Sequence, residues 1–297
     1  MPLYNMENHH ETPNSRKKIG LALGGGGAKG LAHIGVIKVL EKYGIPIDFI
    51  AGTSMGALVG GWYATRKKIK ILETLFLEID DSETYSMNHV MRERKGVLFR
   101  DKDVMRRLES ALQDLTFTDC QIPFAVVATD VATGERVIIN EGRLADAVRA
   151  SVSLPLIFKP VKRDGRLLMD GGFVDPVPAD VVREMGADFV IAVDVSSRWL
   201  NVSEANLEVK DIPAAMSEVF SAVEYQVAKL ILKYADIILR PAVLNYDWLA
   251  FNKAEEIIEK GRDEAMRNLR EIQDKTGYHC EETKSFLQKA VDFFLYE

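Results

Sequence analysis

Short apolar runs alternate with stretches in which apolar residues recur every three or four positions, from residue 18 to about residue 275. "KIGLAL" (residues 18–23) predicts a buried strand. Four glycines follow, and "GLAHIGVIKVLEKYG" then predicts an amphipathic helix that stops at Gly44, before Pro46. "IDFIAG" predicts a second strand and "SMGALVGGWYATRKK" a second helix, so the chain starts as β-loop-α-β-α. Helical periodicity returns at 69–79 and 101–115, and the polar stretch between them, about residues 80–100, predicts a flexible cover. "PFAVVATDVATGERVIIN" predicts two strands joined by a Thr-Gly turn, and "LADAVRASVSLP" a helix ended by Pro155. "GRLLMDGG" predicts a strand running into glycines, followed by a helix from Pro178 and the buried strand "DFVIAVDVS". Strands alternating with helices predict an α/β protein, its sheet covered on both faces.

Two long helices are predicted near 212–235 and 252–275. The first carries Ile212, Met216, Val219, Phe220, Val223, Val227 and Ile231 at helical spacing, which predicts a core or interface stripe. A lipid-contacting face is the alternative. "MPLYNMENHHETPNSRK" has no apolar core of the kind a signal peptide needs and reads as a flexible tail over residues 1–17. No linker divides residues 18–297, which are expected to form one domain with C-terminal helices.

Composition narrows the function classes. With 47% hydrophobic and 28% charged residues the chain has the balance of a soluble globular protein. A net charge of −6 argues against nucleic acid as the main partner and against strong adhesion to anionic membranes. A transient contact with a membrane surface remains compatible with it. No apolar run approaches the roughly 20 residues of a spanning helix. Cys120 and Cys280 are too few for a disulfide framework or a zinc site. A cytoplasmic protein, peripheral at a membrane at most, is expected. Sequence leaves its oligomeric state open.

Candidate chemistry sits where strands run into small residues. "AGTSMGAL" (51–58) puts Ser54 between Gly52 and Gly56 at a strand-to-helix corner. That is the setting of an exposed nucleophile, although a capped turn uses the same residues. Gly25, Gly27 and Gly30 match G-x-G-x-x-G after a strand, the setting of a dinucleotide loop. Such a site wants an acid at the end of the second strand, and Asp48 stands at its beginning instead. The other use of the loop is an oxyanion hole: Gly25, Gly26 and Gly27 expose backbone N–H groups near a helix N-terminus, and Met55 N–H could join them. Of five histidines only His33 lies near this chemistry, and it reads as a structural residue. Asp170, followed by Gly171 and Gly172, is the better base, since a partly buried carboxylate touching a serine hydroxyl can accept its proton. Asp130 and Asp194 follow apolar strands without motif glycines and read as structural. Leu154, Leu156 and Phe158 suit an acyl pocket or plain core packing. No cluster has metal-ligand spacing, and no cofactor is called for.

"GGGAKG", "GTSMGA", "ASVSLPLIFKPV" and "DGGFVDPVP" occur in an order and spacing that resembles patatin-like phospholipases. The similarity runs from about residue 18 to 270 and points to small bacterial proteins related to the neuropathy-target-esterase branch. The resemblance implies a three-layer α/β/α sandwich with a mostly parallel sheet. It implies a Ser54–Asp170 dyad without histidine, an oxyanion hole at Gly25–Gly27, and Lys29 at the family's basic position. It also implies hydrolysis of acyl esters in lipids through an acyl-enzyme. A transacylase, or a catalytically silent lipid-binding protein on the same fold, are the alternatives.

Overall fold

In a computed structural model, residues 16–78, 110–155, 158–196 and 212–279 are described. The first half holds β1 (Ile19–Leu23), α1 (Ala32–Lys42), β2 (Phe49–Thr53), α2 (Met55–Arg66), α3 (Ile69–Leu77), β3 (Phe124–Asp130) and β4 (Arg136–Ile139). The second holds α4 (Leu144–Ser151), β5 (Val161–Arg163), β6 (Arg166–Asp170), α5 (Ala179–Glu184), β7 (Phe189–Val193), α6 (Ile212–Ile231), β8 (Ile237–Leu239) and α7 (Ala254–Thr276). The expected cover at about 80–100 lies outside the described residues, as does most of the helix expected at 101–115. At the N-terminal end Arg16 donates to Asp48 and to the Tyr278 hydroxyl, and Lys17 Nζ donates to the Lys275 carbonyl. These two residues of the expected tail are therefore held in place.

The sheet runs β5-β6-β3-β2-β1-β7-β8, with β4 also on β3. β1, β2, β3, β7 and β8 are parallel, β4 and β6 run antiparallel to β3, and β5 pairs antiparallel with β6. Side-chain alternation splits the central strands between two cores. Leu21, Leu23, Ile50, Val126, Ile191 and Val193 pack with α1, α2 and α7 on one face. Ala22, Ala51, Ala125, Val190 and Ala192 pack with α5 and the end of α6 on the other. Alanines and Gly20 line this second face, so α5 approaches closely: a β-carbon on Gly20 would lie 1.9 Å from Val182 Cγ1. The result is the expected three-layer sandwich. Among the described residues no helix is long and apolar enough to cross a membrane.

α6 differs from the expected stripe. Val219 and Val223 are exposed, whereas Phe220 packs edge-on against Phe173 with ring centroids 4.9 Å apart. Phe220 and Ile231 of the stripe do face inward, and Glu224, Ala228 and Leu232 share that face. The strands β5 and β8, three residues each, are additions at the sheet's edges that the pattern does not predict.

The placement of β6 decides where the site forms. Val126 lies opposite Gly52 of β2 and also opposite Ile139 of β4, so β2 and β4 flank β3 on opposite edges. Thr129 lies opposite Arg136 of β4 and Met169 of β6. β6 therefore shares the β2 edge of β3. β2 covers Phe124–Val127 of that edge, and β6 comes from the other direction to cover Ala128–Asp130. Their C-terminal ends meet head to head beside Val127 and Ala128.

The segment after β6 locks this meeting. Thr53 Oγ1, at the end of β2, donates to the Asp175 carbonyl at 2.7 Å. Arg136 Nη1 of β4 donates to Asp175 Oδ2 at 2.8 Å and to Asp180 Oδ2 at 2.6 Å. Burial pushes the Asp175 carboxyl up to about 7, Asp180 adds to the rise, and Arg136 opposes it. Ionised Asp175 is thus tolerated only through Arg136. Arg136→Ala should cost about 3 kcal/mol at pH 8 and clearly less at pH 5, where Asp175 is protonated. Urea unfolding at the two pH values measures this; an equal loss at both would contradict the role given to Arg136.

Candidate active site

At the end of β2 the chain turns sharply. Ser54 has φ 53° and ψ −119°, a backbone state that costs a non-glycine residue of order 1–3 kcal/mol. The two motif regions force it by interlocking. A β-carbon on Gly56 would lie 2.1 Å from the Leu23 carbonyl oxygen, and one on Gly30 would lie 2.6 Å from Met55 Cβ. Only glycine lets the serine corner and the glycine loop approach so closely. The loop consequently passes beside the nucleophile candidate: a β-carbon on Gly25 would lie 3.3 Å from Ser54 Cβ.

The hydroxyl of Ser54 donates to Asp170 Oδ2 at 2.8 Å. Asp170 is 1% exposed and Ser54 7%. The other carboxylate oxygen, Oδ1, accepts from Gly172 N–H at 2.9 Å. The Asp170 backbone is held from both sides: its N–H donates to the Ser153 carbonyl at 3.1 Å, and its carbonyl accepts from Thr129 Oγ1 at 2.6 Å. Burial pushes the Asp170 carboxyl up to about 6, against the opposing pull of its bonds to Gly172 and Ser54. It therefore combines a proton affinity above that of an ordinary aspartate with an ionised form at neutral pH, the requirement for a base.

The glycine loop divides its donors. Gly24 N–H donates to the Val193 carbonyl and Gly25 N–H to the Pro176 carbonyl, at 3.1 and 2.9 Å. Gly25, expected in the oxyanion hole, therefore has its N–H already committed to the segment that follows β6. Gly26 N–H, Gly27 N–H and Met55 N–H have no acceptor among the described residues. Gly26 and Gly27 both have positive φ, 152° and 56°, which turns this backbone away from the sheet. The left-handed turn at Gly26 also fits only glycine, because a β-carbon there would lie 2.9 Å from Val195 Cγ2.

His33 is fully buried, and its Nε2–H donates to the Gly24 carbonyl at 2.7 Å. Burial lowers its pKa to about 4, so the ring is neutral and committed to the loop backbone. Asp130 and Asp194 hold local backbone: Asp130 Oδ1 accepts from Ala132 N–H, and Asp194 Oδ1 from Ser196 N–H, both at 3.0 Å. Asp48 accepts from Ile19 N–H at 2.8 Å and from Arg16, which ties it to the start of β1. Leu154 and Phe158 are half-buried, with the Arg149 guanidinium 5.2 Å from the Phe158 ring centre; Leu156 lies outside the described residues. Among the described residues no group of His, Cys, Asp and Glu is arranged to hold a metal ion.

Two neighbours of the Ser54–Asp170 pair carry no expectation from the sequence. Ser151, at the end of α4, accepts from Ser54 N–H at 2.8 Å and donates to the Val127 carbonyl at 2.6 Å. Nothing local in "ASVSLP" marks that serine apart from its hydroxyl in an apolar helix. Glu224 of α6 points at Gly172: a β-carbon there would lie 2.3 Å from Glu224 Oε1 and 3.2 Å from Asp170 Oδ1. Burial, with the Asp170 charge next, pushes the Glu224 carboxyl up to about 8, and the buried Lys29 opposes the rise. Its sequence signal is an acid four residues after Phe220, on an inward face continued by Ala228 and Leu232.

A family model described as patatin-like phospholipase matches residues 21–183. Human patatin-like phospholipase domain-containing protein 6 is 38% identical over 184 residues, covering 61% of this chain and 13% of that protein. The Drosophila melanogaster neuropathy target esterase sws is 31% identical over 278 residues, covering 82% of this chain and 19% of that protein. A crystal structure of VipD from Legionella pneumophila aligns with TM-score 0.48 and 14% identity over 88% of this chain and 67% of that one. The chain thus spans only 13% and 19% of the length of these two curated relatives. The matched segment runs through the glycine loop, the serine corner and the Asp170 turn, and on it the chain belongs to the patatin-like phospholipase family, among relatives of the neuropathy-target-esterase type.

Proposed function

We propose that the protein is a serine lipid acyl hydrolase in which Ser54 and Asp170 form a dyad without histidine. The observation that carries this reading is the buried 2.8 Å hydrogen bond from Ser54 Oγ to Asp170 Oδ2. Ser54 Oγ attacks the acyl carbonyl carbon while its proton passes to Asp170 Oδ2. The carbonyl oxygen becomes an oxyanion held by the N–H groups of Gly26, Gly27 and Met55. Collapse expels the alcohol, which leaves with the proton from Asp170. Water then attacks the acyl-enzyme, gives its proton to the same carboxylate, and the acid departs as Ser54 recovers its hydrogen. Donors aimed at the oxyanion in a dry site contribute about 10²–10³ in rate each.

The relatives support the substrate class. A Kluyveromyces lactis relative, 30% identical over 297 residues, is named lysophospholipase NTE1. Carboxylic ester bonds of phospholipids, or of lipids that already carry a single acyl chain, are the substrates we propose.

A fluorophosphonate ester should label the protein once, at Ser54, and abolish ester hydrolysis. Ser54→Ala and Asp170→Asn should each lose at least about 10³-fold in kcat with the fold intact, since either deletion disables the pair. Activity should rise with pH through about 6, because Asp170 accepts a proton only when ionised. Peptide mapping of the adduct decides; label elsewhere, or near-normal turnover in Asp170→Asn, would contradict the dyad.

Asp170 also makes a prediction about stability. Its folded pKa lies above that of the unfolded chain, so the ionised carboxyl opposes folding. That penalty sets in near pH 4, where it is still small, and is complete above about pH 7. Asp170→Asn should therefore be as stable as the unsubstituted protein at pH 4 and more stable at pH 8, by up to about 3 kcal/mol. Thermal unfolding of the two proteins across pH tests this, and a variant less stable at pH 8 would refute it.

A further inference from the structure

The hydrogen bonds between β2 and β3 follow a regular parallel ladder until they reach the nucleophile. Ile50 N–H donates to the Pro123 carbonyl at 3.0 Å, and Ile50 lies opposite Phe124. In a parallel ladder the next donors on that edge come two residues apart, at Gly52 and then at Ser54, and the acceptors step from Pro123 to Ala125 and Val127. The rung due at Ser54 would run to the Val127 carbonyl. It is replaced. Ser151 Oγ stands between the two groups, accepting from Ser54 N–H at 2.8 Å and donating to Val127 O at 2.6 Å. Ser151 is fully buried, so neither group has water as an alternative.

We propose that Ser151 is a positioning residue for the nucleophile, whose hydroxyl substitutes for the last rung of the ladder and holds the Ser54 corner in register with Asp170. This role rests on the reading of Ser54 as nucleophile. The physical need is plain. A direct rung would keep Ser54 in the plane of the sheet, and β6 has to enter the same edge of β3 one residue further on. Insertion of a hydroxyl lengthens the rung by one oxygen, which lets the backbone leave the sheet at φ 53° while both polar groups stay paired. The device also couples the site to α4, because Ser153, two residues on, accepts the Asp170 N–H through its carbonyl. One helix end thereby holds the nucleophile by a side chain and the base by its backbone.

The test compares Ser151→Ala, Ser151→Thr and Ser54→Ala with the unsubstituted protein on a medium-chain p-nitrophenyl ester, with fluorophosphonate labelling rates alongside. Ser151→Ala should fold, lower kcat by about 10- to 100-fold with KM changed less than threefold, and slow labelling of Ser54 by a similar factor. Ser151→Thr, which keeps the hydroxyl, should recover most of both rates. If Ser151→Ala does not fold, the threonine variant carries the test, and a folded Ser151→Thr with a kcat as low as Ser54→Ala overturns the proposal. A folded Ser151→Ala with ordinary kcat and labelling, or a loss confined to KM or to thermal stability, overturns it too. Full activity in Ser54→Ala defeats the nucleophile reading itself and removes the basis for Ser151; an inactive Ser54→Ala beside a fully active Ser151→Ala defeats the role of Ser151 alone.

Discussion

Val127 and Ala128 mark the point on one edge of β3 where β2 and β6 arrive from opposite directions and both end. Each strand is held by its own ladder on β3, so the gap between Ser54 and Asp170 is set by sheet geometry and not by the course of a loop. That makes the 2.8 Å contact between them a property of the rigid part of the molecule. The surrounding bonds all serve the same junction. Thr129 holds the Asp170 carbonyl, Thr53 holds the Asp175 carbonyl, and Pro176 accepts from Gly25, which ties the glycine loop to the chain that follows Asp170.

Dryness then gives the junction its chemistry. Three carboxyl groups around it are displaced in the same direction by burial: Asp170 to about 6, Asp175 to about 7 and Glu224 to about 8. Only Asp170 touches the serine hydroxyl. Asp175 is clamped by Arg136, and Glu224 lies across Gly172. His33 moves the other way, to about 4, which keeps it neutral and leaves it as a brace for the Gly24 carbonyl. A site of this kind trades stability for function, since buried charge and the strained Ser54 backbone both oppose folding.

The parts of this site that are legible in the sequence are those whose geometry demands a particular residue. Gly30 and Gly56 are needed because Met55 and the Leu23 carbonyl come too close for any side chain, and Asp170 stands out because a strand runs straight into two glycines. What stays hidden depends on tertiary placement. Ser151 sits in a plain helical pattern, and only the meeting of β2, β3 and α4 gives its hydroxyl two partners. The commitment of Gly25 N–H to Pro176 is equally non-local. On α6 the apolar stripe and the packed face overlap at Phe220 and Ile231 but part at Val219 and Val223, which are exposed. The packed face is set by Phe173, which seats Phe220 and brings Glu224 to the site. The strands β5 and β8 escape pattern reading because three residues hold too little alternation to separate from a loop.

The central claim is that the Asp170 carboxylate and the Ser54 hydroxyl share one hydrogen bond in a buried site. The direct measurement is the titration of Asp170 by carboxyl carbon-13 nuclear magnetic resonance, in the unsubstituted protein and in Ser54→Ala. Burial should place the midpoint at about 6, and loss of the serine hydroxyl, which stabilises the carboxylate, should move it higher still. A midpoint near 4 in both proteins, the ordinary aspartate range, would mean that the carboxylate is solvated and does not hold the Ser54 hydroxyl.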